Sequence, residues 1–94
     1  MEFEWHPDKA QKNLRKHGVS FDDAVRVFWD THRIESFDGR EAYGEDRWIT
    51  IGLVEPALLA VVYSIRGSDG EIIRLISARK ADAHERALYR ENHP

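Results

Sequence analysis

The feature of this sequence that most restricts its fold is Leu58–Ile65, a short run that is apolar at both odd and even positions. Alternate side chains of a strand point to opposite faces of a sheet, so this pattern indicates a central strand that is covered on both sides. The longest purely apolar stretch, Ala57–Val62, is far shorter than the roughly 18 residues that a membrane span needs. The sequence therefore predicts a buried sheet and no membrane segment.

Further strands are predicted before and after this run. Ile49, Ile51 and Leu53 alternate with less apolar residues, Glu55-Pro56 interrupts the pattern, and Gly67–Gly70 is typical of a hairpin turn. A polar loop is expected at Asp38–Arg40. Short connections of this kind predict an antiparallel meander whose four strands are Arg33–Phe37, Arg47–Leu53, Leu58–Ile65 and Ile72–Ala78.

Helices are predicted on both sides of the meander in the chain. The chain opens with a short strand in which Phe3 and Trp5 alternate with Glu2 and Glu4. His6-Pro7-Asp8 then indicates a helix start, and Gly18 indicates a stop near Lys16. Ser20 then caps a second helix, whose apolar face consists of Phe21, Ala24, Val25 and Phe28, and a charged helix is expected from Lys80 to about Glu91. The predicted order is β-α-α-β-β-β-β-α, an α+β fold in a single domain over residues 1–94.

The charge of the chain disfavours a protein that holds nucleic acid by bulk attraction. Fourteen Lys and Arg residues against seventeen Asp and Glu residues leave a formal net charge of −3. The charge is unevenly distributed, because residues 9–17 contain four basic residues and no acidic one. A local anion site is therefore compatible with the sequence.

Several kinds of chemistry are excluded or disfavoured. With no cysteine, the chain has no disulfide, thiol nucleophile or cysteine-bound metal. The five histidines are scattered without a ligand spacing, so we expect no metal and no cofactor. No glycine-rich phosphate loop or nucleophile elbow is present. The acidic start of the chain, Met1–Glu4, is not typical of a secretory signal, and we expect a cytoplasmic protein.

The first predicted helix carries one group of candidate functional residues. Lys9, Lys12 and Lys16 are spaced by three and four residues, so they share one helix face. His17 follows at the helix C-terminus, next to the negative end of the helix dipole, where it could donate a proton near neutral pH. The alternative interpretation is a solvated face that ends in an ordinary capping residue.

The last predicted strand carries a second group. Strand alternation puts Ile73, Leu75 and Ser77 on one face and Arg74 on the other, between Ile72 and Ile76. A buried arginine needs an anion, which could be an internal carboxylate such as Glu45 or a substrate phosphate. Arg79 and Lys80 follow at the junction with the last helix, where phosphate contacts are accessible.

Together the two groups contain what RNA cleavage without a metal requires. The 2′-hydroxyl of RNA attacks its own phosphate, so the protein needs proton-transfer groups and cations for the developing charge. Candidates for proton transfer are His17, Glu45 and Lys16, and candidates for phosphate binding are Arg74, Arg79 and Lys9.

The order of motifs resembles the BrnT family of type II toxin–antitoxin systems. The matching segments run from residue 3 to residue 89: Phe3-Glu4-Trp5, Lys9 with Asn13, Lys16-His17-Gly18-Val19-Ser20-Phe21 with Ala24, Glu45-Asp46-Arg47-Trp48, Ile51-Gly52, and Arg74-Leu75-Ile76-Ser77-Ala78-Arg79-Lys80-Ala81 with Glu85 and Tyr89. Several separated motifs in one order are more specific than any one of them.

This resemblance implies a RelE-like ribonuclease toxin that cleaves RNA without metal and stops translation. It also implies a BrnA-type antitoxin with a ribbon-helix-helix domain, a 2:2 complex with it, and operator DNA bound only through that antitoxin. The resemblance also implies which residues form the site. The catalytic candidates are Lys16, His17, Glu45, Arg47, Arg74, Ser77 and Arg79, and the substrate-binding candidates are Lys9, Lys12 and Lys80.

One position departs from the family pattern. The family usually has Asp after the first Trp, and here His6 follows Trp5. If that acid only caps a helix, its replacement by His6 changes little. If the acid orients a catalytic group, its replacement would impair activity. This departure and the net acidity motivate a second hypothesis, a non-catalytic module that only binds the antitoxin. A metal-dependent hydrolase is a third.

Overall fold

The computed structural model describes residues 1–39 and 45–92, so Arg40 of the expected polar loop lies outside the described residues. Its strands and helices follow the chain as β1 (Glu2–Glu4), α1 (Pro7–His17), α2 (Phe21–Val25), a 3₁₀ helix (Arg26–Trp29), β2 (Ile34–Asp38), β3 (Arg47–Val54), β4 (Ala57–Arg66), β5 (Ile72–Lys80) and α3 (Ala83–Glu91). The expected α+β class is confirmed.

The strands form one sheet in the order β1-β5-β4-β3-β2. Strands β2 to β5 are an antiparallel meander, and β1 adds to β5 in parallel, with Glu4 opposite Arg74. The central position of β4 accounts for its apolar residues at both parities, since both faces of this strand are covered.

Two clusters of apolar side chains lie on opposite faces of the sheet. The larger cluster lies on the face that packs against α1 and α2, here called the α2 face, and includes Val61, Tyr63 and Leu75. The smaller cluster includes Ile51, Ala60 and Ala81 and packs against Tyr89 of α3, so we call this side the α3 face. A short α3 covers only part of that face.

The second and third helices are shorter than the sequence pattern predicts. The α-helix α2 ends at Val25 and continues as a 3₁₀ helix through Phe28, which keeps Phe28 in the core. The β-branched Val25 and Val27 are poor α-helix formers, and 3₁₀ turns are common at helix ends. The helix α3 begins at Ala83, not Lys80, because Asp82 and Glu85 form a capping box.

A bulge in β5 overturns the predicted side-chain alternation after Leu75. Tyr63 pairs with Leu75, but Val62 pairs with Ser77, so Ile76 is an extra residue in the strand. Ser77 therefore lies on the α3 face with Arg74, and not with Ile73 and Leu75 as alternation predicts. Alternation in one sequence cannot reveal such an insertion, because the bulge is defined by the partner strand.

The ends of α1 agree with the sequence signals. Gly18 closes the helix with φ +71°, and its N–H donates to the Leu14 carbonyl. At the start, the Nδ1 atom of His6 accepts a hydrogen bond from the Asp8 N–H at 3.2 Å. His6 therefore acts as the helix N-cap in the place of the family aspartate. None of the described helices is both long enough and apolar enough to span a membrane.

Candidate functional site

A cationic cleft lies between α1 and the edge of β5. It has a volume of about 230 Å³ and is lined by Lys9, Lys12, Asn13, Lys16, His17, Ile76 and Ser77. The helical spacing of the lysines places them on one side of α1, and the turn before Gly18 adds the half-buried His17. Five of the predicted site residues thus meet here: Lys9, Lys12, Lys16, His17 and Ser77.

The cleft carries uncompensated positive charge. No acidic residue lines it, and none of its lysines forms an ion pair with a described residue. Its position is set by Asn13, whose side chain bonds to the backbone of Ala78 in β5. A nucleotide phosphate that enters the cleft would meet several ammonium groups, the imidazole of His17 and the hydroxyl of Ser77.

A second group of polar side chains crosses the α3 face of the sheet in one row. Arg74 lies opposite Ser64 on one side and opposite Glu4 on the other. Arg47 lies one position beyond the pair of Trp48 and Tyr63, which places it across from Ser64. We call Arg47, Ser64, Arg74 and Glu4 the sheet row.

The carboxylate partner of Arg74 is Glu4, at 2.8 Å between Nη1 and Oε2. The proposed partner Glu45 instead approaches Arg47 at 3.9 Å and Arg66 at 3.6 Å. The reason is the parallel addition of β1 to β5, which brings Glu4 into register with Arg74. This long-range pairing is invisible to local sequence patterns.

Arg79 is held by its own chain. It makes two hydrogen bonds to Glu85, at 2.6 and 2.9 Å, while Glu85 also accepts from the Asp82 N–H. The hydrogen bond from Arg79 lowers the pKa of Glu85, against the opposing effect of burial. Arg79 lies on the α3 face opposite Ala60. This geometry makes its first role the attachment of α3 to the sheet.

Lys80 lies apart from both groups. It is exposed and lines a cleft with Gly18, Val19 and the hairpin between β3 and β4. The predicted site residues are therefore distributed among the cationic cleft, the sheet row with Glu45, the Arg79–Glu85 pair and this hairpin cleft.

Three residues of the α3 face were not found from the sequence: Glu4, Ser64 and Arg66. Ser64 had a signal, since it is the one polar residue in the apolar Leu58–Ile65 run and is 1% exposed. Its hydroxyl has no hydrogen-bond partner in the described part of the chain. No local sequence signal marks Glu4 or Arg66, because the arginine and carboxylate groups that they contact are distant in the sequence.

A separate, partly buried network joins α3 to the other end of the sheet. Asp30 accepts hydrogen bonds from the hydroxyl of Tyr89 at 2.7 Å and from the N–H groups of Leu53 and His32. Burial raises the pKa of Asp30, but these hydrogen bonds outweigh it and the pKa is lowered. Burial and the bond to Asp30 raise the pKa of Tyr89 to about 12. Within residues 1–39 and 45–92, no three His, Asp or Glu side chains are grouped as metal ligands would be.

Comparisons with known proteins agree on one relationship. A family model described as "Ribonuclease toxin, BrnT, of type II toxin-antitoxin system" matches residues 5–85. Among solved structures, the chain is similar to the Brucella abortus ribonuclease toxin BrnT, with 30% sequence identity and a TM-score of 0.65. That match covers 87% of this chain and 97% of the Brucella chain. A search of curated proteins gave no match.

Proposed function

Because this chain belongs to the BrnT family of ribonuclease toxins of type II toxin–antitoxin systems, we propose that it is a metal-independent RNA endonuclease. The observation that carries the proposal is the cationic cleft, in which His17 lies among three lysines with no acidic residue at the lining. A polyanion is attracted to such a cleft although the protein is acidic overall.

The chemistry requires two proton transfers and one displacement at phosphorus. The 2′-oxygen of a ribose forms a bond to the adjacent phosphorus while the bond from phosphorus to the 5′-oxygen breaks. We assign His17 as the donor of the proton to the leaving 5′-oxygen. The 2′-hydroxyl proton passes to solvent water, and we assign Lys16 as a cation beside the attacked phosphate. The products are a 2′,3′-cyclic phosphate and a 5′-hydroxyl.

We assign Lys9 and Lys12 to stabilise the negative charge that develops on the phosphate oxygens. The non-bridging oxygens gain charge in the transition state, and fixed ammonium groups stabilise them. We assign the hydroxyl of Ser77, which lines the strand side of the cleft, as a further donor to a bound phosphate.

The test is inducible expression in bacteria, with growth and RNA integrity as readouts. We expect the wild type to arrest growth and fragment RNA, and His17→Ala to do neither. His84→Ala is the matched control, since His84 is an exposed histidine on α3 away from the cleft. If a folded His17→Ala variant fragments RNA like the wild type, the assignment of His17 is wrong.

A second candidate function is a non-catalytic module that only binds an antitoxin. One observation favours it, namely that Arg74 and Arg79 are both bound to carboxylates of their own chain. Purified protein that binds the product of the neighbouring open reading frame but cleaves no RNA would support this alternative.

For the partner, we propose a BrnA-type antitoxin with a ribbon-helix-helix domain. Such domains bind DNA as dimers, so the expected complex is 2:2, repressing its own operon in the cytoplasm with operator DNA contacted only by the antitoxin. The RelE-like description of the fold belongs to the same proposal. Co-expression with the neighbouring frame, followed by light scattering and an operator-binding assay, tests all of these points.

A further inference from the structure

We propose that the sheet row is a second phosphate-binding site, which holds a phosphate of the same RNA strand next to the one cleaved in the cationic cleft. The inference rests on the proposed function and adds a subsite to it. The proposed contacts to the phosphate come from Ser64 and Arg74. Arg47 lies on the other side of Ser64, and Glu4 competes with the phosphate for Arg74.

The strongest observation is the hydroxyl of Ser64. Buried polar atoms in native proteins are nearly always hydrogen-bonded, and leaving one without a partner costs free energy. Ser64 is 1% exposed, its oxygen has no partner in the described part of the chain, and the side chain lies on the α3 face. Binding of a ligand by this hydroxyl would explain why a serine stands at a position where its hydroxyl lowers stability.

The neighbours of Ser64 define the charge of that ligand. Arginines stand on both adjacent strands, Arg74 on β5 and Arg47 on β3, and Arg66 follows two residues later on β4. Val62 and Arg66 are the neighbours of Ser64 along β4 on this face. Guanidinium groups that flank a hydroxyl match the oxygens of a phosphate.

The carboxylate in contact with Arg74 is replaceable, whereas Arg47 lies opposite the buried Asp38 and near Glu45. Glu4 is partly exposed, and its ion pair with Arg74 lies at the sheet edge beside solvent. Exposed ion pairs of this kind contribute little net free energy, so an incoming phosphate can replace the carboxylate. In the absence of ligand, Glu4 compensates the charge of Arg74.

The position of the row relative to the cleft identifies the ligand as part of the same RNA strand. Because Ile76 is bulged, Arg74 of the row and Ser77 of the cleft lie opposite Ser64 and Val62 of β4, which are two residues apart, or about 7 Å along a strand. Successive phosphates of one extended nucleic acid strand can span this distance. The substrate is therefore expected to be single-stranded RNA with at least one phosphate beyond the scissile one.

The test uses an RNA oligonucleotide that is methylated at every 2′-oxygen, so that it cannot be cleaved, with binding followed by fluorescence anisotropy. We expect Ser64→Ala to bind about tenfold more weakly, since it loses one hydrogen bond to a charged group. The same variant is expected to be as resistant to urea as the wild type or more so, because the deleted hydroxyl has no protein partner.

The matched control is Thr50→Val. Thr50 is equally buried, but its hydroxyl donates to the Ile34 carbonyl and accepts from Arg33, within the protein. This variant is expected to lose resistance to urea without losing affinity. Ser64→Ala with wild-type affinity, or with a loss of stability like that of Thr50→Val, would overturn the role of the hydroxyl.

A second variant tests the charge. For single strands the slope of log K against log salt changes by about 0.7 for each phosphate contact. Arg74→Gln is expected to lower that slope by about this amount, while the neutral change Ser64→Ala leaves it unchanged. Arg26→Gln is the control of equal charge, since Arg26 is exposed on the other side of the sheet.

The outcomes separate this inference from the proposed function. If the protein binds the methylated oligonucleotide through Ser64 and Arg74 but cleaves no RNA, the phosphate site is supported and the nuclease function is wrong. If the protein cleaves RNA but its Ser64→Ala and Arg74→Gln variants bind the oligonucleotide like the wild type, the phosphate site is wrong and the nuclease function stands. Antitoxin binding that depends on these residues, with unchanged RNA affinity, also overturns the site.

Discussion

The side chain of Asn13 pairs with the backbone of Ala78 as a neighbouring strand would. Its Nδ2 donates to the Ala78 carbonyl at 2.8 Å, and its Oδ1 accepts from the Ala78 N–H at 3.0 Å. Because β1 pairs with β5 only as far as Arg74, the amide takes over the edge of β5 where β1 has ended. The same Nδ2 donates to the Val19 carbonyl, which ties the turn after α1 to the sheet.

We predict that Asn13→Ala strongly destabilises the protein. The change leaves the polar backbone groups of Ala78 and Val19 without partners in a buried position, at a cost of about 2–4 kcal/mol. The free energy of unfolding in urea is the measurement. Gln11→Ala, at an exposed position of the same helix, is the control and should change stability by no more than about 0.5 kcal/mol. Equal values for the two variants would contradict the edge role of Asn13.

We predict that His6→Asp stabilises the protein at neutral pH. An aspartate accepts the Asp8 N–H as His6 does, and it adds a negative charge at the positive end of the dipole of α1, a gain of about 0.5–1 kcal/mol. His6→Ala, which removes the acceptor, should lose about as much. Thermal melting of the three proteins compares them. RNA cleavage by His6→Asp should equal that of the wild type, since the residue is a cap; a large change in kcat would show that it orients a catalytic group.

We predict that acid destabilises the fold through Asp30 and Glu85. Both carboxyls have a folded-state pKa below their ordinary values of 3.8 and 4.5. Their contribution is therefore present above those values and is lost as pH falls through the lower folded-state pKa. Urea unfolding between pH 6 and about pH 3 is expected to show a declining free energy, and Asp30→Asn should decline less steeply from a lower start. A decline of equal steepness in the variant would exclude Asp30 as a source.

We predict a matching effect of Tyr89 at high pH. The folded-state pKa is about 12 against an ordinary 10.0, so the stabilisation by the neutral hydroxyl is complete below pH 10 and is lost as pH rises towards 12. Tyr89→Phe lacks this contribution at every pH, so the stability difference from the wild type should shrink between pH 9 and pH 11.5. A difference that stays constant over that range would show that Tyr89 and Asp30 are not coupled.

We predict that removal of divalent metal leaves RNA cleavage intact, whereas His17→Ala lowers kcat by about 10²–10⁴-fold. The reason is that the proposed steps use only protons and fixed cations of the chain. Cleavage of a defined RNA in the presence of EDTA, with identification of a cyclic phosphate end, is the measurement. Activity abolished by EDTA and restored by added metal would contradict the mechanism and favour the metal-dependent alternative.

Much of the fold follows from local patterns in the sequence. The apolar run at Leu58–Ile65 predicts the central strand, Gly18 predicts the end of α1, and Ser20 predicts the start of α2, where its hydroxyl accepts from the Asp23 N–H. The lysine spacing on α1 likewise predicts a shared face, and these lysines do line one cleft with His17. Periodicity and capping depend on neighbours within a few residues, so one sequence contains them in full.

Tertiary structure decides what depends on partners far away in the chain. The bulge at Ile76 moves Ser77 to the face of Arg74, and the parallel addition of β1 pairs Arg74 with Glu4 across 70 positions. The same register places Ser64 between two arginines. Which strand is a neighbour, and in which register, follows from packing the whole sheet at lowest free energy, and local periodicity does not contain that information.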